Sequence, residues 1–265
     1  MAAIPLFNPK AQYGPLLPEL KERLGAVLDG GRFILGPEVR AFEEEAAAAL
    51  GVPIVEDAAQ AFGAEGIATT GIASTFSFYP TKNLGALGDG GLVAVTDEEL
   101  GERIRLLRFH GSRDKRDFQL VGYNSRLDEL QAAALRVFLP HVAEWNWLRR
   151  EAALRYAELG LGELVELPSD DGRHVYHLFV VRTPERDRVR AALDEAGIGS
   201  ASYYVTPLHL QPALGYLGYE PGSLPETERA SRENLALPLW PGIEPAAQER
   251  VVEAVRSAVR ERVPS

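Results

Sequence analysis

Two short apolar runs, each leading into a functional side chain, limit the folds open to this chain. In the first, Ile54 and Val55 run into Glu56 and Asp57. In the second, Thr75 to Tyr79 place Phe76 and Phe78 on one side and Ser77 on the other, and the polar turn that follows carries one lysine, Lys82. Gly90 to Thr96 make a third run. Strands this short and apolar suit a sheet covered on both faces.

Helical patterns surround these strands. Residues 16–30 and 37–50 read as helices; in the second, Val39, Phe42, Ala46 and Leu50 share one face, and Gly51 ends it. A long helical region runs from about Leu127 to Glu158, with Leu127, Leu130, Ala134 and Val137 as its apolar stripe and Pro140 interrupting it. Beyond it, Val175 to Val181 reads as a strand, Thr183-Pro184 as the start of a helix reaching Ala196, and Ser202 to Val205 as extended chain. Pro245 opens a last helix with Val251, Val252, Val255 and Val259 along its inner side. The expected architecture is α/β, with a large domain over residues 1–140 and a small C-terminal domain over residues 141–265 that includes the linking helix.

Composition removes several classes of function. The formal net charge of −10 argues against a nucleic-acid partner, which would need a basic face. The absence of cysteine excludes disulfides, thiolate nucleophiles and zinc–thiolate sites. The five histidines have no metal-ligand spacing, so no metal is expected. The start, Met1-Ala-Ala-Ile-Pro, lacks a signal-peptide pattern, and no apolar stretch is long enough to span a bilayer, so no membrane partner and a cytoplasmic location are expected.

Taken singly, Lys82 reads as a solvated lysine, Asp57 as a turn former and Gly85, Gly88, Gly90 and Gly91 as turn punctuation. Together, the amine and the acid, each at a strand end, can serve two ends of one flat cofactor. Pyridoxal phosphate needs a lysine for its aldehyde and an acid for its ring nitrogen. Four segments strengthen this reading by their order: Val55-Glu-Asp-Ala-Ala-Gln-Ala-Phe-Gly-Ala, Ser77-Phe-Tyr-Pro-Thr-Lys-Asn-Leu-Gly, Gly88-Asp-Gly-Gly and Gly122-Tyr-Asn-Ser-Arg-Leu-Asp-Glu-Leu-Gln-Ala-Ala. With the early Phe33-Ile-Leu-Gly-Pro-Glu-Val and the late Tyr203-Tyr-Val-Thr-Pro-Leu-His209, they make the chain resemble the sugar aminotransferases of the DegT/DnrJ/StrS group, which are fold-type-I pyridoxal-phosphate enzymes.

The resemblance implies a fold-type-I arrangement, with a reduced large domain built on a mainly parallel sheet and a small α/β domain. It implies that Lys82 bonds the cofactor aldehyde, Asp57 holds the ring nitrogen protonated, Gln60 lies against the ring hydroxyl and Ser77 bonds the phosphate. Asn124 would reach the phosphate of a neighbouring subunit, making a homodimer with shared active sites, and His209 would lie near the sugar. The implied reaction moves an amino group, with glutamate as donor, onto a nucleotide-linked keto sugar. Some relatives carry histidine in place of this lysine and dehydrate sugars instead; Lys82 favours transamination.

The family pattern also implies about a hundred more residues between the helix matching Ala41 to Val52 and the segment matching Pro53-Ile-Val-Glu-Asp. Here those two ends are fused near residues 51–53. In relatives the intervening segment supplies a phosphate-binding helix N-terminus, an aromatic residue stacked on the cofactor and several strands. Its lack implies weakened or absent cofactor binding and an unpaired apolar sheet edge. A non-catalytic, dimerising remnant of the family and a pyridoxal-phosphate sugar dehydratase are therefore the alternatives to an aminotransferase.

Overall fold

The computed structural model describes residues 18–19, 21–23, 41, 53–69, 71–170 and 172–260. The helices expected over residues 16–30 and 37–50 lie almost wholly outside these, as does the fused junction at Gly51 and Val52.

Three strands form the first sheet in the order β1 (Val55–Asp57), β2 (Ala73–Ser77), β3 (Gly91–Ala94). β1 and β2 are parallel, with Val55 opposite Ala73 and Asp57 opposite Thr75. β3 returns antiparallel, with Ser77 opposite Gly91. The parallel pair brings the carboxyl ends of β1 and β2 to one edge of the sheet, the edge at which open α/β sheets bind ligands. Two glycines let the chain turn there. A Cβ on Gly85 would collide with the Pro80 carbonyl, and one on Gly90 would come within 2.9 Å of Leu127 Cδ1.

Among the described residues β1 is an edge strand, and its expected burial is not observed: Val55 is 56% exposed. Leu92 and Val93 on β3 are exposed as well, so among the described residues this sheet is not covered on both faces. The aromatic side is covered. Phe62 meets Phe76 and Phe78 edge to face, with centroids 5.4 and 6.1 Å apart.

Asp97 caps α1 (Glu98–Arg108), its Oδ1 accepting from the Leu100 N–H at 2.6 Å. Asp128 caps α2 (Glu129–Phe138) in the same way, accepting from the Gln131 N–H at 2.9 Å. A single 3-10 turn, Leu139–His141, accommodates Pro140 before α3 (Val142–Glu158) resumes the helix. The expected apolar stripe is a misreading of which face packs. Leu130 is 78% and Val137 64% exposed, while Leu135, with Leu127 and Phe138, packs against Phe78, Leu84 and Val142. Apolar residues run almost all round α2, so period alone cannot choose a face. The choice falls to Gln131, whose Oε1 accepts from the Leu87 N–H at 2.7 Å and docks the helix on the lysine turn.

The second unit pairs β4 (Phe179–Arg182) antiparallel with β5 (Asn234–Leu237) and packs α4 (Arg186–Glu195), α5 (Pro225–Glu233) and α6 (Pro245–Arg260) around them. Its core gathers Tyr156, Leu161, Val181, Leu193, Leu235 and Val255. The inner side of α6 falls on Val251, Val252 and Val255 as expected, with Val259 partly buried beside them. Tyr156 stacks on Phe179 at 5.0 Å and satisfies its hydroxyl by donating to the Pro238 carbonyl at 2.8 Å.

Two expected strands differ. Val175 to Leu178 stay out of the sheet, because Tyr176 adopts φ +44 and the Val175, Tyr176 and His177 carbonyls accept from Asn83 and Arg149 instead of a neighbouring strand. Ser202 to Val205 form turns, because the Asn234 Oδ1 accepts the Tyr203 N–H at 2.7 Å and Ser202 Oγ donates to the Asn234 carbonyl at 2.9 Å. Only Ala201 in this stretch bridges to β5, at Ala236.

The two apolar environments separate cleanly in a stability measurement. Leu193→Ala in the second core should cost about 2–5 kcal/mol in urea unfolding, whereas Leu130→Ala on the exposed face of α2 should stay within about 0.5 kcal/mol of the parent.

Candidate active site

The turn after β2 fixes the backbone of Lys82, whose N–H donates to the Tyr79 carbonyl at 2.9 Å, while the Ala86 N–H closes back on Phe78 at 2.7 Å. The lysine side chain is half-buried, and its Nζ lies 3.5 Å from Nε2 of His177. Burial pulls the amine below the ordinary lysine value, and the charge of Asp57 opposes that fall. The amine thus lies within the electrostatic reach of the acid at the sheet edge. Asp57 itself is exposed at the end of β1, with Oδ1 accepting from the Ala59 N–H at 3.0 Å. Ser77 Oγ accepts from the Tyr79 N–H at 3.3 Å, which leaves its proton available to an anion. Gln60 is exposed in the turn after β1.

Asn124 and His209 have partners of their own. Asn124 bridges to Phe109, accepts from Arg126 Nε at 2.9 Å, and lines a groove with Thr75, Gly91, Leu92 and Tyr123. His209 is 7% exposed, with Nε2 3.3 Å from Glu228 Oε1 and its ring edge-on to Tyr219. That carboxylate oxygen also accepts from the Gly222 N–H at 2.7 Å, tying His209 into the second unit.

Four residues that sequence reasoning did not single out complete the lysine environment. Asn83 Nδ2 donates to Asn146 Oδ1 at 2.6 Å and to the Val175 carbonyl at 2.7 Å. Asn146 Nδ2 donates onward to the Phe62 carbonyl at 3.1 Å. Arg149, one turn further along α3, is buried and spans the carbonyls of Tyr176 and Leu239 at 3.1 and 3.4 Å. These bonds hold the segment that presents His177. The sequence signal for Asn146 was a lone amide between Trp145 and Trp147 in a helix; Asn83 stood beside the lysine in the motif itself.

Among the described residues, no carboxylate offsets the burial of the His177 ring. Burial, then the charges of Lys82 and Arg149, hold its pKa down to about 4. The imidazole is therefore neutral at ordinary pH.

The donor set fits an aldehyde cofactor with an anionic tail: a half-buried amine with a lowered pKa, an acid at the adjoining strand end with free lone pairs, and a hydroxyl proton between them in sequence. The profile of the DegT/DnrJ/EryC1/StrS aminotransferase family matches residues 45–256, and the chain belongs to that family. It is 47% identical over 219 residues to a pleiotropic regulatory protein of Geobacillus stearothermophilus, covering 79% of this chain and 59% of that one. It is 46% identical over 217 residues to the dTDP-3-amino-3,4,6-trideoxy-alpha-D-glucose transaminase of Streptomyces venezuelae, covering 78% and 56%. Among solved structures, S. venezuelae DesV in complex with a ketimine intermediate superposes with a TM-score of 0.77 at 45% identity, covering 83% of this chain and 61% of that one. The chain thus spans less than two thirds of the length of each of these three relatives.

The neutrality of His177 makes a pH prediction. Its folded pKa lies below the unfolded value, so between about 4 and 6.5 the unfolded chain binds the extra proton and stability falls as pH falls. Urea midpoints measured across this window should drop less steeply in His177→Gln than in the parent, with the two curves parallel above it.

Proposed function

We propose that this chain carries the lysine and acid groups of a pyridoxal-phosphate transaminase site and moves an amino group onto a keto sugar linked to a nucleotide. The observation that supports this reading is the half-buried Lys82 amine at the end of β2, within the field of Asp57 at the end of β1. The 46% identity to a transaminase acting on a dTDP-linked sugar supports the substrate class. When bound, the cofactor supplies an electron sink beside the carbon that gains or loses a proton.

This chain's residues do the rest. Lys82 would hold the aldehyde end. Asp57 would hold the proton on the ring nitrogen, a charge-assisted hydrogen bond that keeps the ring electron-poor. Gln60 would flank the ring hydroxyl and Ser77 would donate to a phosphate oxygen. Released from the aldehyde, the Lys82 amine would take a proton from the substrate carbon and return it one atom away, a role that its lowered pKa favours. Asn124, standing in a groove apart from its own Lys82, would serve the phosphate of a partner in a homodimer, and His209 would border the sugar. Glutamate is the proposed amino donor.

One observation favours a second reading. Asp57 and Gln60 are exposed, and among the described residues the sheet that carries them ends at β1. A cofactor cup with one open wall suits a non-catalytic member of the family.

Titration of the purified chain with pyridoxal phosphate separates the two. An imine absorbance band, present in the parent and lost in Lys82→Ala, is expected, together with a fall in amine transfer of roughly 10²–10⁴-fold or more. No band at saturating cofactor would instead establish the non-catalytic reading, and a keto-deoxy sugar formed without net amine transfer would establish a dehydratase. If active sites are shared, mixing Lys82→Ala with Asn124→Ala subunits should restore part of the activity that each lacks alone.

A further inference from the structure

The contact between Lys82 and His177 is built by the fold rather than left to two free side chains. Asn83, the residue after the lysine, donates to the Val175 carbonyl at 2.7 Å, so the lysine turn and the histidine segment are joined by one buried hydrogen bond. Arg149 Nη1 then pins the carbonyls of Tyr176 and His177 at 3.1 and 3.5 Å. The ring has little freedom left, and its Nε2 faces Lys82 Nζ at 3.5 Å.

The ring's other nitrogen decides which way the proton lies. His177 Nδ1 is buried and has no hydrogen-bond partner among the described residues. Were Lys82 an ammonium, it could only donate; Nε2 would have to accept, and the imidazole proton would sit on Nδ1 as a buried donor with nothing to receive it. Orphaned buried N–H groups are the rarer kind of unsatisfied group. With the proton on Nε2, the ring instead donates to the lone pair of an uncharged amine and leaves only an acceptor unpaired. The charged groups that act on the pair are divided. Asp57 favours the ammonium, while Arg149 beside the ring disfavours any further positive charge.

We infer that His177 is a positioning residue for Lys82, its Nε2–H donating to the lone pair of the uncharged amine and parking it at the sheet edge whenever it is not bonded to a cofactor. This deepens the transaminase reading and rests on it, since an amine that moves a proton between two carbons must be both uncharged and held in place. The bond is a long one, so it can be surrendered when the amine turns back to the aldehyde.

The test needs no cofactor, so it gives a result even if the chain fails to bind pyridoxal phosphate. Trace acetylation of the ligand-free chain with acetic anhydride, read at Lys82 by mass spectrometry across pH, reports the uncharged amine. His177→Phe should raise the midpoint of that profile by about one pH unit, roughly a tenfold loss of Lys82 labelling below the midpoint. His177→Gln, whose amide can still donate, should stay within a few tenths of a unit of the parent. A Phe variant with the parental midpoint, or a Gln variant shifted as far as Phe, overturns the inference. Where the Phe variant does not fold, nitrogen-15 spectra of the parent's imidazoles decide. The His177 signal, recognised by its loss in His177→Gln, should carry its proton on Nε2, and a proton on Nδ1 overturns the inference outright.

Discussion

A short ladder of buried polar side chains on α3 holds this molecule's functional edge together. Asn146 accepts from Asn83 and donates to the Phe62 carbonyl, and Arg149 grips the backbone at Tyr176 and Leu239. One helix therefore ties down the loop after β1, the turn that carries Lys82 and the segment that carries His177. Each such bond contributes only about 1 kcal/mol net, but removing one partner strands a buried group at about 1–3 kcal/mol. The ladder is thus more important for fixing geometry than for adding stability. Arg149 makes the same point: burial lowers its affinity for a proton, and backbone carbonyls rather than a carboxylate surround its charge.

The same helix spans two apolar clusters. Val142 and Trp145 pack with Phe78, Leu84 and Leu135 on the first sheet's aromatic side, and Ala153 and Tyr156 pack into the core around Val181 and Leu193. The polar ladder sits between these clusters, where side chains from both meet. That is where a lysine can be half-buried and its amine can lose water.

Much of this was legible from residue types and spacing. Lys82, Asp57 and Ser77 stood at strand ends, and Pro140 and the valines of α6 marked their elements correctly. The failures share a cause. Strand Val175 to Val181 was read from local propensity, but Asn83 and Arg149, distant in sequence, take up the carbonyls a neighbouring strand would need. The stripe on α2 was read from period, but a helix apolar on nearly every side has its face chosen by Gln131. His177 looked like an ordinary histidine because its meaning depends on contact with a residue 95 positions away. Period and propensity report a residue's neighbours along the chain; they carry no signal for a bond closed by tertiary packing.

The two poles of the site differ in what sustains them. Asp57 is held by one hydrogen bond from Ala59, two residues on, and faces solvent, so its carboxylate is governed by local chain and water. Lys82 is governed by burial, by His177 and by a network that reaches from Phe62 to Leu239. An acid near water finds hydrogen-bond donors in the solvent without help from the fold. An amine must be desolvated to be useful, and desolvation requires structure around it. Among the described residues the investment of this fold is uneven, dense around the lysine and sparse around the aspartate, as the amine's need for desolvation requires.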